Sequence, residues 1–395
     1  MGKRLEKDFI IIIEGGVREV LLNEEQQMIK DVARKIAIDH IAPRADEVDR
    51  LGKMPWDNIK VLAENGLFGV HVPEKYGGAG SDMVSHVAVI EEIAAACGST
   101  SVALSTQALT IAPFLLAGTE EQKKKYVTKL ATGEVLGSFG ITEPAAGSDV
   151  SGVKTTAVKD GNEYVLKGHK IFITNAGESE VYVFVTRTSE ERTKGITLFI
   201  VEKGTEGLSF GKEEDKMGIR GSITREVFLE NVRVPAENML GKEGEGFKIL
   251  MEVFNETRPV VGAQAVGIAR GAYDYAVNYV KERRQFGKSL NGFQIIQAMT
   301  ADMRMKIEAS RLLVFQAASM LDRNDPGVAP YSSMAKCFAS DVAMSVTTDA
   351  VQLLGGNGYI KDYPVERMMR DAKITQIYEG TNQVQRIIIA NDIFK

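Results

Sequence analysis

Cysteine, histidine and tryptophan are scarce in this 395-residue chain, with two, four and one respectively. Cys97 and Cys337 can form at most one bridge and no CxxC pair occurs, which excludes a disulfide scaffold and a thiolate zinc centre. His40, His71, His86 and His169 are the only imidazoles, so chemistry in the C-terminal half must use other groups. Their number and placement also argue against a Ser-His-Asp or histidine-zinc hydrolase. Excess positive charge is missing: 48 Lys+Arg against 53 Asp+Glu leave −5, with no basic surface for nucleic acid or anionic lipid. Long apolar runs are missing too. Phe9 to Ile13 is too short for a signal-peptide core or a bilayer span, and no later run approaches eighteen residues. The chain reads as a soluble, cytoplasmic protein without a membrane segment, and residues 1–21 read as an N-terminal extension, in part a strand.

What is present is an ordinary globular composition, 44% hydrophobic and 26% charged, long enough for roughly two to three domains. Three zones follow one another. Over 22–136 the pattern is helical: Asn23 precedes Glu24, Glu25 and Gln26 as an N-cap with its capping-box partner, and Met28, Val32, Ile36 and Ile38 recur at helical spacing. Further helical stretches run from Ser85 to Ala96 and from Thr119 to Thr132. Over 137–240 the period becomes two, with runs at Glu163 to Thr174, Val181 to Thr186, Ile196 to Glu202 and Glu226 to Val234. These predict an antiparallel sheet or small barrel. Over 241–395 long amphipathic helices return. Val261, Ala265, Ile268, Ala272, Ala276 and Tyr279 trace one face, and Gly262, Ala263, Gly267 and Gly271 predict close helix contacts. Helices, then strands, then helices give an α+β protein rather than a Rossmann sheet.

Neither Gly355-Gly356-Asn357-Gly358 nor Gly241 to Gly246 fits a GxGxxG turn after a strand, and no GxxxxGK[ST] occurs. Thr142 to Asp149 is a loop of small and hydroxylic residues where helices give way to strands, suited to cupping a carbonyl or a cofactor edge. Phe172-Ile173-Thr174-Asn175 ends a strand with an aromatic and a hydroxyl. Tyr378-Glu379-Gly380 sets a carboxylate between a ring and a glycine; removal from water would raise its pKa and make it a better base near neutrality. Arg283 to Gly287 sets arginine beside an aromatic, suited to a phosphate and a ring. Taken singly, each also reads as a loop, strand end, helix end or surface cluster.

Their joint order closely resembles the acyl-CoA dehydrogenase family, from about Leu22 to Phe394. The resemblance rests on Tyr76-Gly77-Gly78, Thr142 to Asp149, Ile171 to Asn175, Arg283 to Lys288, Gln352 to Tyr359 with Tyr363-Pro364-Val365, and Gln376 to Arg386. It implies an N-terminal helical domain, a central β-barrel or sheet domain and a C-terminal four-helix bundle, assembled as a homotetramer. FAD is the implied cofactor, an acyl-CoA the substrate, and an electron-transfer flavoprotein the partner that reoxidises the flavin. By motif match, Phe139, Ile141, Thr142 and Ser148 line the flavin and the thioester, while Phe172 and Thr174 meet the isoalloxazine. Arg283, Gln285, Phe286, Gln352 and Gly356 reach a neighbouring subunit's FAD, and Thr381 and Gln383 close over the cofactor. Ser148, Asn255, Arg258, Tyr378 and Gly380 fall to the acyl-CoA, and Glu379 to the base that removes the α-proton, giving a trans-2-enoyl-CoA. No metal is implied.

Departures narrow the subgroup. Some members carry the base at the position of Thr257, which a hydroxyl cannot fill; its neighbour Glu256 is one residue out of register. Members acting on glutaryl-CoA carry an arginine where Ser101 stands, and no Lys or Arg lies between Glu91 and Gln122, which disfavours a dicarboxylic substrate. Cys97, Thr100, Ser105, Thr106 and Leu109 are candidates for the acyl-pocket wall. Straight short or medium, branched and alicyclic acyl groups stay open. An apolar docking patch near Met83 and Val84 is a further expectation. An oxygen-using acyl-CoA oxidase and a non-catalytic scaffold are the alternatives; oxidases are longer, and a scaffold would have no need of Glu379, Arg283 and Phe286.

Overall fold

A computed structural model describes residues 12–13, 16–17 and 22–395. Ile12–Ile13 (β1) and Gly16–Val17 (β2) pair antiparallel; the rest of the expected N-terminal extension lies outside the described residues. Asn23 caps the first helix, α1 (Glu24–Ile36), as predicted: its side chain accepts from the Gln26 N–H, and the Gln26 side chain accepts from the Asn23 N–H. Of the expected apolar stripe, only Ile36 is buried. Gln26, Lys30, Ala33 and Ile36 face inward, whereas Met28, Val32 and Ile38 are exposed. Charge decides the face, because buried Glu92 draws in Lys30 (3.8 Å) and Arg34 (3.0 Å).

Two short helices follow, α2 (Ala45–Leu51) and α3 (Trp56–Glu64), then α4 (Met83–Ala96) and α5 (Gly98–Ala117). α6 (Glu120–Gln122) and α7 (Thr128–Ala131) flank a π-turn and complete the stretch predicted over Thr119 to Thr132. α5 carries no periodic stripe because it is buried on nearly every side, between α4, α8 and the first strand of the sheet. Among the described residues α5 alone is long and apolar enough to cross a membrane, and 78% of its most apolar window is buried.

The sheet comprises β3 (Gly137–Gly140), β4 (Thr156–Asp160), β5 (Glu163–Thr174), β6 (Val181–Arg187), β7 (Ile196–Glu202), β8 (Leu208–Glu213), β9 (Thr224–Pro235) and β10 (Met239–Leu240). Its order is β10-β7-β6-β4-β5-β9-β8 with β3 beside β6. It is mixed rather than purely antiparallel, since β3 and β4 both run parallel to β6. All four strands predicted from alternation are present.

Long helices then return: α8 (Gly246–Glu282), α9 (Gln294–Asp322) and α10 (Val328–Leu354), followed by α11 (Val365–Thr375) and α12 (Asn382–Ile393). A small hairpin, β11 (Arg284–Gln285) and β12 (Lys288–Ser289), joins α8 to α9. The small residues of α8 do what their spacing predicts. A Cβ on Gly267 would stand 2.4 Å from the Glu91 carbonyl and one on Gly271 2.3 Å from the Ala95 carbonyl, so α4 lies directly on α8. The expected apolar patch at Met83 and Val84 is not there. Both residues are buried at the start of α4, where their N–H groups donate to the Asp322 carboxylate at 2.7 and 3.2 Å.

Candidate active site

The sheet and the C-terminal helices enclose a cleft of about 390 Å³ between β3, the end of β5, α5, α8 and the loop joining α11 to α12. That loop carries Glu379 into the cleft. Glu379 holds φ +52° and Gly380 φ +90°, two successive residues in the left-handed region. A non-glycine residue pays for such a φ unless its surroundings impose it, and the clustering of such strain at working sites draws attention to Glu379.

Three groups meet the Glu379 carboxylate. Thr257 on α8 donates its hydroxyl to Oε2 at 2.5 Å, and the cations of Arg258 and Lys336 act on it through space. Burial pushes its pKa up, and the hydroxyl and the two cations only partly offset that. Burial likewise lowers Arg258 to about 10, with Glu379 opposing. Glu256, the neighbour out of register, is absent from this cleft. It lines a separate cavity with Glu252, Asp322 and Leu116, where burial, helped by Glu252, lifts it to about 7.

Pro259 explains the local turn of α8. Its ring leaves the Asn255 carbonyl without the helical donor four residues on, and Ser332 of α10 supplies a hydroxyl instead, at 2.7 Å. The Asn255 carbonyl is therefore part of the seam between α8 and α10; the residue lines the cavity of Glu256 rather than the cleft, while its Oδ1 accepts from Arg258 Nη1 at 3.4 Å.

One wall of the cleft comes from Val102, Ser105, Thr106 and Leu109 of α5 and Val261 of α8. Behind it, Tyr378 donates to Gln264 Oε1, while Gln264 Nε2 donates to Ser101 at 2.9 Å. Cys97 and Thr100 do not line the cleft. Cys97 is the joint between α4 and α5, and the Thr100 hydroxyl accepts from Asn58 at 2.9 Å.

The opposite wall is formed by Phe139, Ile141, Thr142, Ser148, Phe172 and Thr174. Phe172 holds φ +59° and is 62% exposed, so its ring stands at the cleft rather than in the sheet core. A buried clamp fixes this wall. Lys170 donates to the carbonyls of Ile141 (3.0 Å) and Val185 (2.6 Å) and to Glu143 (2.8 Å), and Glu143 also accepts from the N–H groups of Lys154 and Thr155. Burial lowers Lys170 to about 8, against the pull of Glu143.

Comparison with known proteins agrees with this architecture. Residues 23–134, 138–232 and 244–394 match the N-terminal, middle and C-terminal domains of acyl-CoA dehydrogenase. The short-chain-specific acyl-CoA dehydrogenase of Clostridium acetobutylicum is 47% identical over 376 residues, 95% of this chain and 99% of that protein. The chain belongs to the acyl-CoA dehydrogenase family. Butyryl-CoA dehydrogenase from Megasphaera elsdenii superposes with a TM-score of 0.93 at 45% identity, covering 95% of this chain and 99% of that one. A chain in the structure of the electron transferring flavoprotein of Acidaminococcus fermentans, studied towards a mechanism of flavin-based electron bifurcation, also gives 0.93. It is 50% identical, with coverage of 95% and 99%.

Against the family motifs, one chain brings together only part of the expected set. Phe139, Ile141, Thr142, Ser148, Phe172, Thr174, Arg258, Tyr378, Glu379 and Gly380 share the cleft. Arg283, Gln285, Phe286, Gln352 and Gly356 are not among its lining residues; Phe286, at φ +49° and 92% exposed, projects from the β11–β12 hairpin. Thr381 and Gln383 do not line it either: the Thr381 hydroxyl accepts from the Val384 N–H as the cap of α12, and Gln383 faces outward. Sequence reasoning passed over Lys336, Gln264 and the Glu143–Lys170 pair. A lysine amid Ala335, Cys337 and Ala339 was the available hint for the first.

Proposed function

We propose that this acyl-CoA dehydrogenase removes the α-proton of a short-chain acyl-CoA with Glu379 and passes the β-hydrogen, with its electron pair, to FAD. The observation that carries the reading is the Glu379 carboxylate, held in the cleft with a raised pKa on a turn that leaves its own N–H free. That N–H donates to no group among the described residues. An α-proton beside a thioester is too weakly acidic for a free carboxylate, so the carbonyl oxygen must be stabilised as charge develops on it. The free N–H of Glu379 is available for that oxygen, and the carboxylate of the same residue for the proton. Burial brings the acid strength of Glu379 nearer to that of its proton donor. The Arg258 cation opposes that rise in pKa and favours the ionised carboxylate.

The opposite wall fits a flavin. It offers the apolar faces of Phe139, Ile141 and Phe172 together with the hydroxyls of Thr142 and Thr174, which make no hydrogen bond among the described residues and can take partners on a polar ring edge. Bound there, FAD supplies the two-electron acceptor. The chain's own residues exclude water, orient the thioester and hold the proton on Glu379. We assign Arg283, Gln285, Phe286, Gln352 and Gly356 to the cofactor of a neighbouring copy in a homotetramer. Reoxidation falls to an electron-transfer flavoprotein, a reading supported by the likeness to the Acidaminococcus fermentans chain.

A short acyl group is the reading we favour: Val102 and Val261 line the cleft, and their helix neighbours Ser101 and Gln264 are joined by a hydrogen bond at 2.9 Å. The relatives from Clostridium acetobutylicum and Megasphaera elsdenii agree. The test is anaerobic titration of the holoenzyme with butyryl-, octanoyl-, isobutyryl-, glutaryl- and cyclohexanecarboxyl-CoA, followed by flavin absorbance. Bleaching by the short thioesters is expected. A protein that cannot be reconstituted with FAD would sink the reading.

A further inference from the structure

Lys336 is fully buried on α10, yet it is not among the residues lining the cleft. Its Nζ donates to the Gly380 carbonyl at 2.8 Å and to Asn382 Oδ1 at 2.9 Å. Asn382 is itself held, donating through Nδ2 to Ser340 at 2.9 Å and Asp341 at 2.8 Å. From α12, Gln385 Nε2 donates to the carbonyls of Glu379 (3.1 Å) and Gly380 (2.9 Å). Both carbonyls of the left-handed turn are thus held by donors from the helices behind it, and the N–H of Glu379 is left without a partner. A buried ammonium is costly, and hydrogen-bonding a main-chain carbonyl is a task a neutral side-chain amide could do. What the ammonium adds is charge, held on the carbonyl of the residue that follows Glu379.

We propose that Lys336 is a positioning residue for the base: its ammonium fixes the Glu379–Gly380 turn through the Gly380 carbonyl and Asn382, holding a cation one residue from Glu379. The proposal rests on the assignment of Glu379 as base. The groups that face this pair are Thr257 and Arg258 from α8, Cys337 and Asp341 from α10, Arg386 from α12 and Tyr378 on the turn itself. Arg386 is occupied by Asp341, so Arg258 and Lys336 are the two cations that act on Glu379. Burial lowers Lys336 to about 8 while Glu379 opposes the change, which makes the ammonium sensitive to the state of its neighbour.

The test reads proton removal alone. Acetyl-CoA has α-hydrogens and no β-carbon, so holoenzyme in deuterated water can exchange its α-protons without oxidising it, and mass spectrometry follows the exchange against pH. Lys336→Met is expected to slow exchange about ten- to a hundredfold and to move its acid limb to higher pH. Lys336→Arg, which keeps the charge, restores the limb. Should Lys336→Met not fold, Lys336→Gln keeps a donor for Gly380 and reads the charge alone, with the same upward displacement expected. A folded neutral variant whose limb and rate match the unaltered enzyme overturns the proposal. Glu379→Gln separates the two readings: exchange undiminished in that variant means that the base itself has been misassigned, whatever Lys336 does.

Discussion

The hydroxyl of Thr257, on the long helix α8, donates to Oε2 of Glu379, on the loop between α11 and α12, at 2.5 Å. On the reading of Glu379 as the base, a hydroxyl from α8 serves the carboxylate that the final loop brings to the cleft. Thr257→Val, of nearly the same shape, removes the donor and favours protonated Glu379. Dehydrogenation at low pH should fall while the plateau rate at high pH changes little. Rates of flavin bleaching by butyryl-CoA across pH check this; an unmoved acid limb would mean that the hydroxyl has no influence on ionisation.

Glu379→Gln should lower the bleaching rate at least about a hundredfold, the usual range for loss of a general base. It should also stabilise the fold near neutrality. Because burial raises the folded-state pKa above the unfolded value, the unfolded chain releases its proton first as pH climbs. Stability is therefore full below the unfolded pKa, falls as pH rises through the interval between the two values, and stays reduced above it. Glutamine removes that loss. Thermal melts of both proteins at pH 4 and pH 8 should show the variant's advantage only at the higher pH.

Gly380→Ala tests the turn. At φ +90° an alanine is strained, and its Cβ would stand 2.7 Å from Gln385 Nε2. A loss of about 1–3 kcal/mol is expected, with activity falling further than stability accounts for because the Glu379 N–H shifts. Urea unfolding and steady-state rates on the same preparation separate the two.

Much of this site could be read from the sequence because its chemistry is local. Glu379 and Gly380 are adjacent, the Asn23 cap and its partner are three residues apart, and the four strands announce themselves by alternation. What escaped depends on distant segments. Lys336 meets Gly380 only after α10 and the final loop pack together, and no spacing rule connects them. Asn255 does accept from Arg258 at 3.4 Å, yet it lines the cavity of Glu256 rather than the cleft, a placement that only the packing of α8 against α10 decides. Met28 and Val32 had the right period and the wrong face, because Lys30 and Arg34 pair with Glu92. α5 had no period to read, being surrounded.

Lys170→Met should cost about 3–5 kcal/mol, the range for leaving one partner of a buried pair alone. The double change with Glu143→Gln should cost less than the sum of the two single changes. Both loosen the Ile141–Thr142 wall, so FAD release on dilution, followed by fluorescence, should quicken in step with the loss of stability.

Gln264→Ala removes the hydrogen bonds behind Val261 and opens space there. The ratio of kcat/KM for hexanoyl-CoA over butyryl-CoA should rise, alongside about 1–3 kcal/mol of lost stability from the unpaired Tyr378 hydroxyl; Ser101 still donates to the Gly98 carbonyl. An unchanged ratio would place the end of the acyl chain elsewhere.

The surrounded helix α5 also sets a problem during synthesis. Its cover on one side is α8, which leaves the ribosome only after the entire sheet has been made. Until then the nascent chain displays a stretch with the hydropathy of a bilayer span. A chain interrupted before α8 is therefore expected to leave α5 uncovered on that side, and exposed apolar surface of that kind favours aggregation.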